Sequence, residues 1–158
     1  MTHEKKSIQL LDEVLKLNGS ALLDRVTLEL HKQFQSYCTC VVEIAHLKHC
    51  ATTLSHSSGG AVADCLCYGL DGTPCEHVAQ DIGELIFYQN EVYKLFPEDR
   101  MLQDVGIQAY IGLPLKTHTG EVLGILVSTF THSIYAAEAE KVIFHHRFYA
   151  NVIIHSLR

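Results

Sequence analysis

The chain has 158 residues, of which 47% are hydrophobic, with a formal net charge of −6 and six cysteines. That length and apolar content suit one domain with a full core. The acidic balance argues against a nucleic-acid surface, which needs clustered Lys and Arg, and no apolar run approaches the ~20 residues of a membrane span.

The opening Met-Thr-His-Glu-Lys-Lys carries no signal-peptide core, so a cytoplasmic location is expected, with the cysteines as reduced thiols. From Ser7 to Leu17, Ile8, Leu11, Val14 and Leu15 recur at helical spacing, and Asn18-Gly19 is a strong helix stop. Residues 1–19 are therefore read as an N-terminal helix that contacts a second subunit, and residues 20–158 as the domain itself. Ser20 caps a second helix through about Phe34, with Leu22, Leu23, Val26 and Leu30 as its buried stripe.

Three strands follow. Cys38–Leu47 places Cys40, Val42 and Ile44 on one face; Cys50–Ser55 ends at Ser57-Ser58-Gly59-Gly60; Ala63–Leu70 alternates Cys65 and Cys67 with Leu66 and Tyr68. Short connections make them an antiparallel meander. Thr73-Pro-Cys-Glu76 is a capping box, with an N-cap threonine, proline at the first helical position and glutamate at the third. It predicts a short helix from Pro74 to about Gln80. Leu85–Tyr88 reads as a brief strand. In Phe96-Pro-Glu-Asp99, Pro97 opens another helix that Gly106 stops.

Gln108 to Phe130 is a hairpin around the polar segment Lys116–Glu121. Ile111, Leu113 and Leu115 alternate with Tyr110, Gly112 and Pro114; Leu123, Ile125 and Val127 alternate with Gly124 and Ser128. Each strand thus has one greasy and one smaller face. Glycines inside strands mark close approach, and Pro114 requires an edge or an irregularity at its position. Ser133 caps a final helix to about Ser156. Its apolar residues, among them Val142, Phe144, Phe148, Val152 and Ile153, cover more than one face, which predicts a homodimer through the terminal helices.

This order, together with Leu70-Asp-Gly-Thr-Pro-Cys-Glu-His-Val78, Leu95-Phe-Pro-Glu-Asp-Arg-Met-Leu102, Tyr110-Ile-Gly-Leu-Pro-Leu115 and Gly120-Glu-Val-Leu-Gly-Ile-Leu126, resembles the GAF domain family. The resemblance covers the chain from Ser20 onward. It implies an α+β fold: a central antiparallel sheet, terminal helices on one face and a crossover of short helices on the other. It also implies a sensory or regulatory module that holds a small molecule between sheet and crossover, with Tyr68, Cys75, Phe96, Leu102, Tyr110 and Leu126 lining the pocket. Cyclic-nucleotide-binding members carry an Asn-Lys…Phe…Asp-Glu pattern; Asn90-Glu91…Phe96-Pro97-Glu98-Asp99 lacks its lysine.

No catalytic step, metal or cofactor is required by this reading. The alternatives are a thiol-dependent reductase of free methionine sulfoxide, with Cys75 as nucleophile, and a dimerisation or partner-binding module without ligand. Such reductases begin the core with a tryptophan-containing strand and place several cysteines in the crossover; this chain has no tryptophan and Cys75 alone there. The position of Cys75 at a helix start predicts a modestly lowered thiol pKa, helped by a protonated His77 and opposed by Glu76. Cys38, Cys40, Cys50, Cys65 and Cys67 with His46 and His49 invite a metal, but Cys-x-Cys in a strand holds its sulfurs on positions ~6.6 Å apart, and core packing is the better account. Among the eleven histidines, His77 and His145-His146 are the candidates for an axial haem ligand.

Overall fold

The structure, a computed structural model, describes residues 19–80 and 84–156. The helix expected over Ser7–Leu17 lies outside them. Helix α1 (Gly19–Phe34) leads into β1 (Cys38–Ala45), a single 3-10 turn (His46–Lys48), β2 (Cys50–Ser58), β3 (Ala61–Val62) and β4 (Cys67–Gly69). The crossover holds α2 (Pro74–Gln80), β5 (Ile86–Tyr88), α3 (Val92–Leu95) and α4 (Arg100–Val105). Strands β6 (Ala109–Lys116) and β7 (Val122–Phe130) precede α5 (Ala136–Ser156).

One sheet runs in the order β3-β2-β1-β7-β6-β5, with β4 also paired to β2, and every pairing is antiparallel. Its central strands are covered on both sides. Val41, Ile111, Leu113, Leu115, Leu126 and Phe130 pack under α1 and α5, while Val42, Ile44, Tyr110, Ile125 and Val127 pack under the crossover. The expectation of one greasy face per strand therefore gives way to two, because the sheet is the middle layer of three. Both strand glycines mark close approach. A Cβ on Gly124 would stand 2.3 Å from the Val42 carbonyl oxygen, and one on Gly112 would stand 2.6 Å from the Tyr110 hydroxyl. Pro114 lies past the reach of β5, whose last partner on β6 is Gly112.

Local differences from the sequence reading have definite causes. Of the strand expected over Ala63–Leu70 only β4 (Cys67–Gly69) forms, after an irregular stretch joined to β2 where the Leu66 N–H donates to the Thr53 side chain. Asp99, rather than Pro97, heads α4: its carboxylate accepts from the Leu102 N–H at 3.2 Å, and Gly106 closes the helix at a φ of 74°. The short helix α3 follows Glu91 in a left-handed conformation. Ser133 does not cap α5; its hydroxyl donates to Asn90 at 2.5 Å, pinning the chain to the crossover.

Strands β1 and β2 lose one step of register between Val41 and Val42, where Ser55 and Thr53 are the successive partners and Leu54 is left over. A bulge of this kind exchanges the faces of all that follows. Before it, Ala51 and Thr53 face the crossover side; after it, Ser55 and Ser57 face α1 and hydrogen-bond Thr27, both at 2.9 Å.

The helix side also buries a polar chain of fixed polarity. His146 Nδ1 lies 2.7 Å from the Val142 carbonyl, which only accepts, so Nδ1 carries the proton and Nε2 of the neutral ring accepts from Ser128 at 2.7 Å. Ser128 must then accept from Thr39, Thr39 from Ser36, and Ser36 from His31 Nδ1. That leaves His31 Nε2 to accept, and the Gly60 N–H donates to it at 2.9 Å. Both ends demand the same direction.

Burial holds the His146 pKa down at about 4 against 6.5 for a free ring. The native state therefore binds fewer protons than the unfolded chain between those values, and this contribution to stability is complete above pH 6.5 and lost as pH falls toward 4. At about 1.4 kcal/mol per pH unit it is on the order of 3 kcal/mol. His31, also lowered by burial, acts in the same direction. Denaturant unfolding at pH 7 and pH 4.5 should show that loss in the parent protein and a smaller one in His146→Gln; equal losses would contradict this assignment.

Candidate functional site

Between the crossover face of the sheet and the crossover itself lies a cavity of about 390 Å³. Cys38, Cys40, Val127, Thr129 and Tyr110 form its floor, and Thr53, His56 and residues 66–69 one wall. Thr73, Pro74, Cys75 and Leu102 form the roof, with Asp71, Glu98, Asp99, Arg100 and Met101 toward the mouth. Apolar walls with a few polar groups are the usual make-up of a small-molecule site, and the volume falls in the usual range.

Four of the six residues named from sequence line this cavity: Tyr68, Cys75, Leu102 and Tyr110. Phe96 does not. It is buried behind α2, packed edge-on against the rings of His77 and Tyr88 at centroid distances of 5.3 and 5.7 Å. Leu126 lies on the other side of the sheet, among the residues under α1 and α5. Strand alternation decides this: Ile125 and Val127 face the crossover, so Leu126 faces the helices.

Cys75 is the second residue of α2, as expected, but its thiol is not activated. It is buried, receives a hydrogen bond from Tyr68 at 3.5 Å and shares another with Tyr110 at 3.0 Å. Burial pushes its pKa up, more than the two tyrosine contacts pull it down. The expected lowering is thus overturned, because desolvation of a thiolate outweighs one short helix's dipole. His77 does not assist; it faces Phe96. Gly112 makes the arrangement possible, since the Tyr110 ring lies along the strand over the space a side chain there would fill.

The sulfur that does meet charge-stabilising partners is Cys38, on β1. Its Sγ is 3.2 Å from Thr129 Oγ1, with the Cys40 thiol two residues along the same face. His56 pairs across the strands with Cys40 and lines the same cavity. The neighbouring Cys40 thiol above all, then His56 and the Thr129 hydroxyl, hold the Cys38 pKa well below the ordinary thiol value, while burial opposes it. His56 is raised in turn, chiefly by Cys38. Its Nδ1 is fixed at 3.1 Å on the Asp64 carbonyl oxygen, so Nδ1 donates and Nε2 is left for the cavity. Sequence reading set Cys38 aside as core because nothing in the spacing reveals the bulge that brings His56 to this side.

Among the described residues no group of three or more His, Cys, Asp or Glu side chains is arranged to hold a metal ion. Two of the candidate haem ligands are otherwise engaged: both ring nitrogens of His146 are bonded, and His145 Nδ1 lies 2.8 Å from the Lys141 carbonyl. All six cysteines are free thiols. No helix among the described residues is long and apolar enough to cross a membrane.

The sequence model of the GAF domain matches residues 18–141. No curated protein matches the chain. In structure it is similar to the chromophore-binding domain of Stigmatella aurantiaca phytochrome P1, with a TM-score of 0.71 at 13% identity, covering 95% of this chain and 58% of that one. The chain thus spans little more than half of that relative. It is also similar to the phycocyanobilin-bound GAF domain from a cyanobacterial phytochrome (TM-score 0.67, 13% identity, 99% and 96% covered). A third is the GAF domain of a phosphoenolpyruvate-protein phosphotransferase from Coxiella burnetii (TM-score 0.68, 18% identity, 94% and 90% covered). At such identities the likeness is one of fold.

Cys75 should resist alkylation by iodoacetamide at pH 8 in the folded protein and react fully once denatured. Tyr110→Phe, which removes a partner of the buried thiol, should cost about 1 kcal/mol. Rapid labelling of native Cys75 would show that the crossover opens or that the thiol is activated after all.

Proposed function

The chain belongs to the GAF domain family, and on that premise we propose that it is a cytoplasmic sensory or regulatory module that binds a small molecule in the cavity between sheet and crossover and acts as a homodimer. The observation that carries this reading is the cavity itself: about 390 Å³ of open space where a ligand-free packing module would be filled by its own side chains. Hydroxyls of Tyr68, Tyr110, Thr53 and Thr129 provide orienting contacts within it, and the acidic groups at the mouth disfavour strongly anionic ligands. The neutral, buried Cys75 offers no support to a reductase built on that residue.

Native mass spectrometry of protein purified without added ligand should show a co-purifying small molecule. Met101 stands at the mouth and is 41% exposed, so Met101→Trp should weaken binding about tenfold while unfolding stability stays within ~0.5 kcal/mol. Retention of the same ligand at unchanged affinity in Met101→Trp would place binding elsewhere.

For the dimer, the supporting feature is the outward side of α5. Phe144, Phe148 and Val152 recur every fourth residue, beside the stripe of Val142, His146, Tyr149 and Ile153 that is buried in the subunit. Phe148 and Val152 are half-buried and Phe144 is 65% exposed. An apolar stripe left beside a satisfied one is the pattern of a covered helix. Sedimentation at micromolar concentration should give twice the chain mass, and Phe144→Glu should shift it toward monomer. A monomeric parent protein would end the dimer reading.

A further inference from the structure

Neither the fold nor small-molecule binding explains why the cavity floor holds a thiol bonded to Thr129, with the Cys40 thiol and the His56 imidazole lining the same cavity. We propose that Cys38 and His56 form a peroxide-reactive pair, in which Cys38 is the site of reversible oxidation to a sulfenic acid by hydroperoxides that enter the cavity. The geometry supplies each role such a step needs. Cys38 and His56 line one cavity, on adjacent strands and on one face of the sheet. His56 is oriented by its Nδ1–H on the Asp64 carbonyl, which leaves Nε2 unengaged on a ring that lines the cavity. Thr129 and Cys40 stabilise negative charge on the sulfur.

In the step, the Cys38 thiolate attacks one peroxide oxygen, a sulfur–oxygen bond forms and the oxygen–oxygen bond breaks. Sulfur is oxidised by two electrons and the peroxide is reduced. The leaving alkoxide or hydroxide takes the proton of the His56 imidazolium, giving an alcohol or water and neutral imidazole. Cys38 and Cys40 occupy neighbouring same-face positions of a strand, ~6.6 Å apart along it, at the upper end of the range a disulfide spans. The sulfenic acid is returned to the thiol by two external thiols: the first displaces water to form a mixed disulfide with Cys38, and the second releases the Cys38 thiol as the external disulfide forms.

The titratable groups that face Cys38 come from every layer around it. Cys40 lies on its own strand, His56 on β2, Tyr68 on β4 and Cys75 on α2; His31 approaches from α1, and β7 contributes the neutral Thr129. At the mouth Asp71, Glu98 and Asp99 stand with Arg100. Of these, His56 is the partner placed to give up a proton.

The test treats the full-length protein with hydrogen peroxide or with cumene hydroperoxide in the presence of dimedone, and maps the adduct by peptide mass spectrometry. Cys38 should be trapped at least tenfold faster than the exposed Cys65 and Cys67, with a rate that rises less steeply between pH 6 and pH 8 than the roughly tenfold per pH unit of an ordinary thiol. Preference for the cumyl substrate would identify an organic hydroperoxide as the natural oxidant; preference for hydrogen peroxide would identify the small one. His56→Gln should slow trapping about tenfold and restore the steep pH dependence, with circular dichroism unchanged. Cys38→Ser should abolish trapping at this position, while ligand binding is read separately by native mass spectrometry of the untreated parent protein, so failure here and failure of the ligand-binding reading are separable. Trapping of Cys38 no faster than Cys65 and Cys67 would overturn the proposal, as would a His56→Gln variant with the parent rate and pH profile.

Discussion

The constraint on which the rest depends is that the three central strands, β1, β7 and β6, are buried on both faces. A sheet in that position has no solvent side to absorb polar groups. Each alternate residue is committed either to the helices or to the crossover. What faces the helices is aliphatic in its lower part and a hydroxyl chain between two histidines in its upper part. What faces the crossover is aliphatic around Val42 and Ile125 and turns to thiols and hydroxyls around Cys38, Cys40 and Thr129, where the cavity opens.

The hydroxyl chain shows how such a layer tolerates polarity. Ser36, Thr39 and Ser128 each have a single proton to give and a lone pair to receive with, and each finds both partners. One end is fixed by a helix carbonyl and the other by a backbone amide, so neither imidazole is free to choose its tautomer. The chain thereby links α5, β7, β1 and α1 to the Gly59–Gly60 turn, in parts of the sequence more than a hundred residues apart.

Much of the fold was legible because its signals are local. The capping residues before α2, the glycine after α4, and the hairpin around Lys116–Glu121 each state their structure within a few residues. Placement of the helix stripe Leu22, Leu23, Val26 and Leu30 needed only periodicity. The site was harder to read, for two physical reasons. Whether a thiol is activated depends on desolvation, and Cys75 has the local signature of an activated one while being buried in the cavity roof. Which face a side chain takes depends on register, and the surplus Leu54 inverts the parity of β2 beyond it, carrying His56 to the cavity and the serines to α1. Composition and spacing are silent on such an insertion. The misplacing of Leu126 is a simpler error of parity within a strand whose two faces are both apolar.

The edges of the sheet carry a consequence of their own. At one side β3 and β4 are two and three residues long; at the other β5 spans three, and the uncovered length of β6 beyond it contains Pro114. A proline offers no amide hydrogen to an incoming strand, and such short edges present little to template one. The molecule is thereby guarded against runaway edge-to-edge polymerisation, the hazard of any open sheet at cellular concentrations. Among the described residues the sheet edges thus offer little to self-assembly by strand addition.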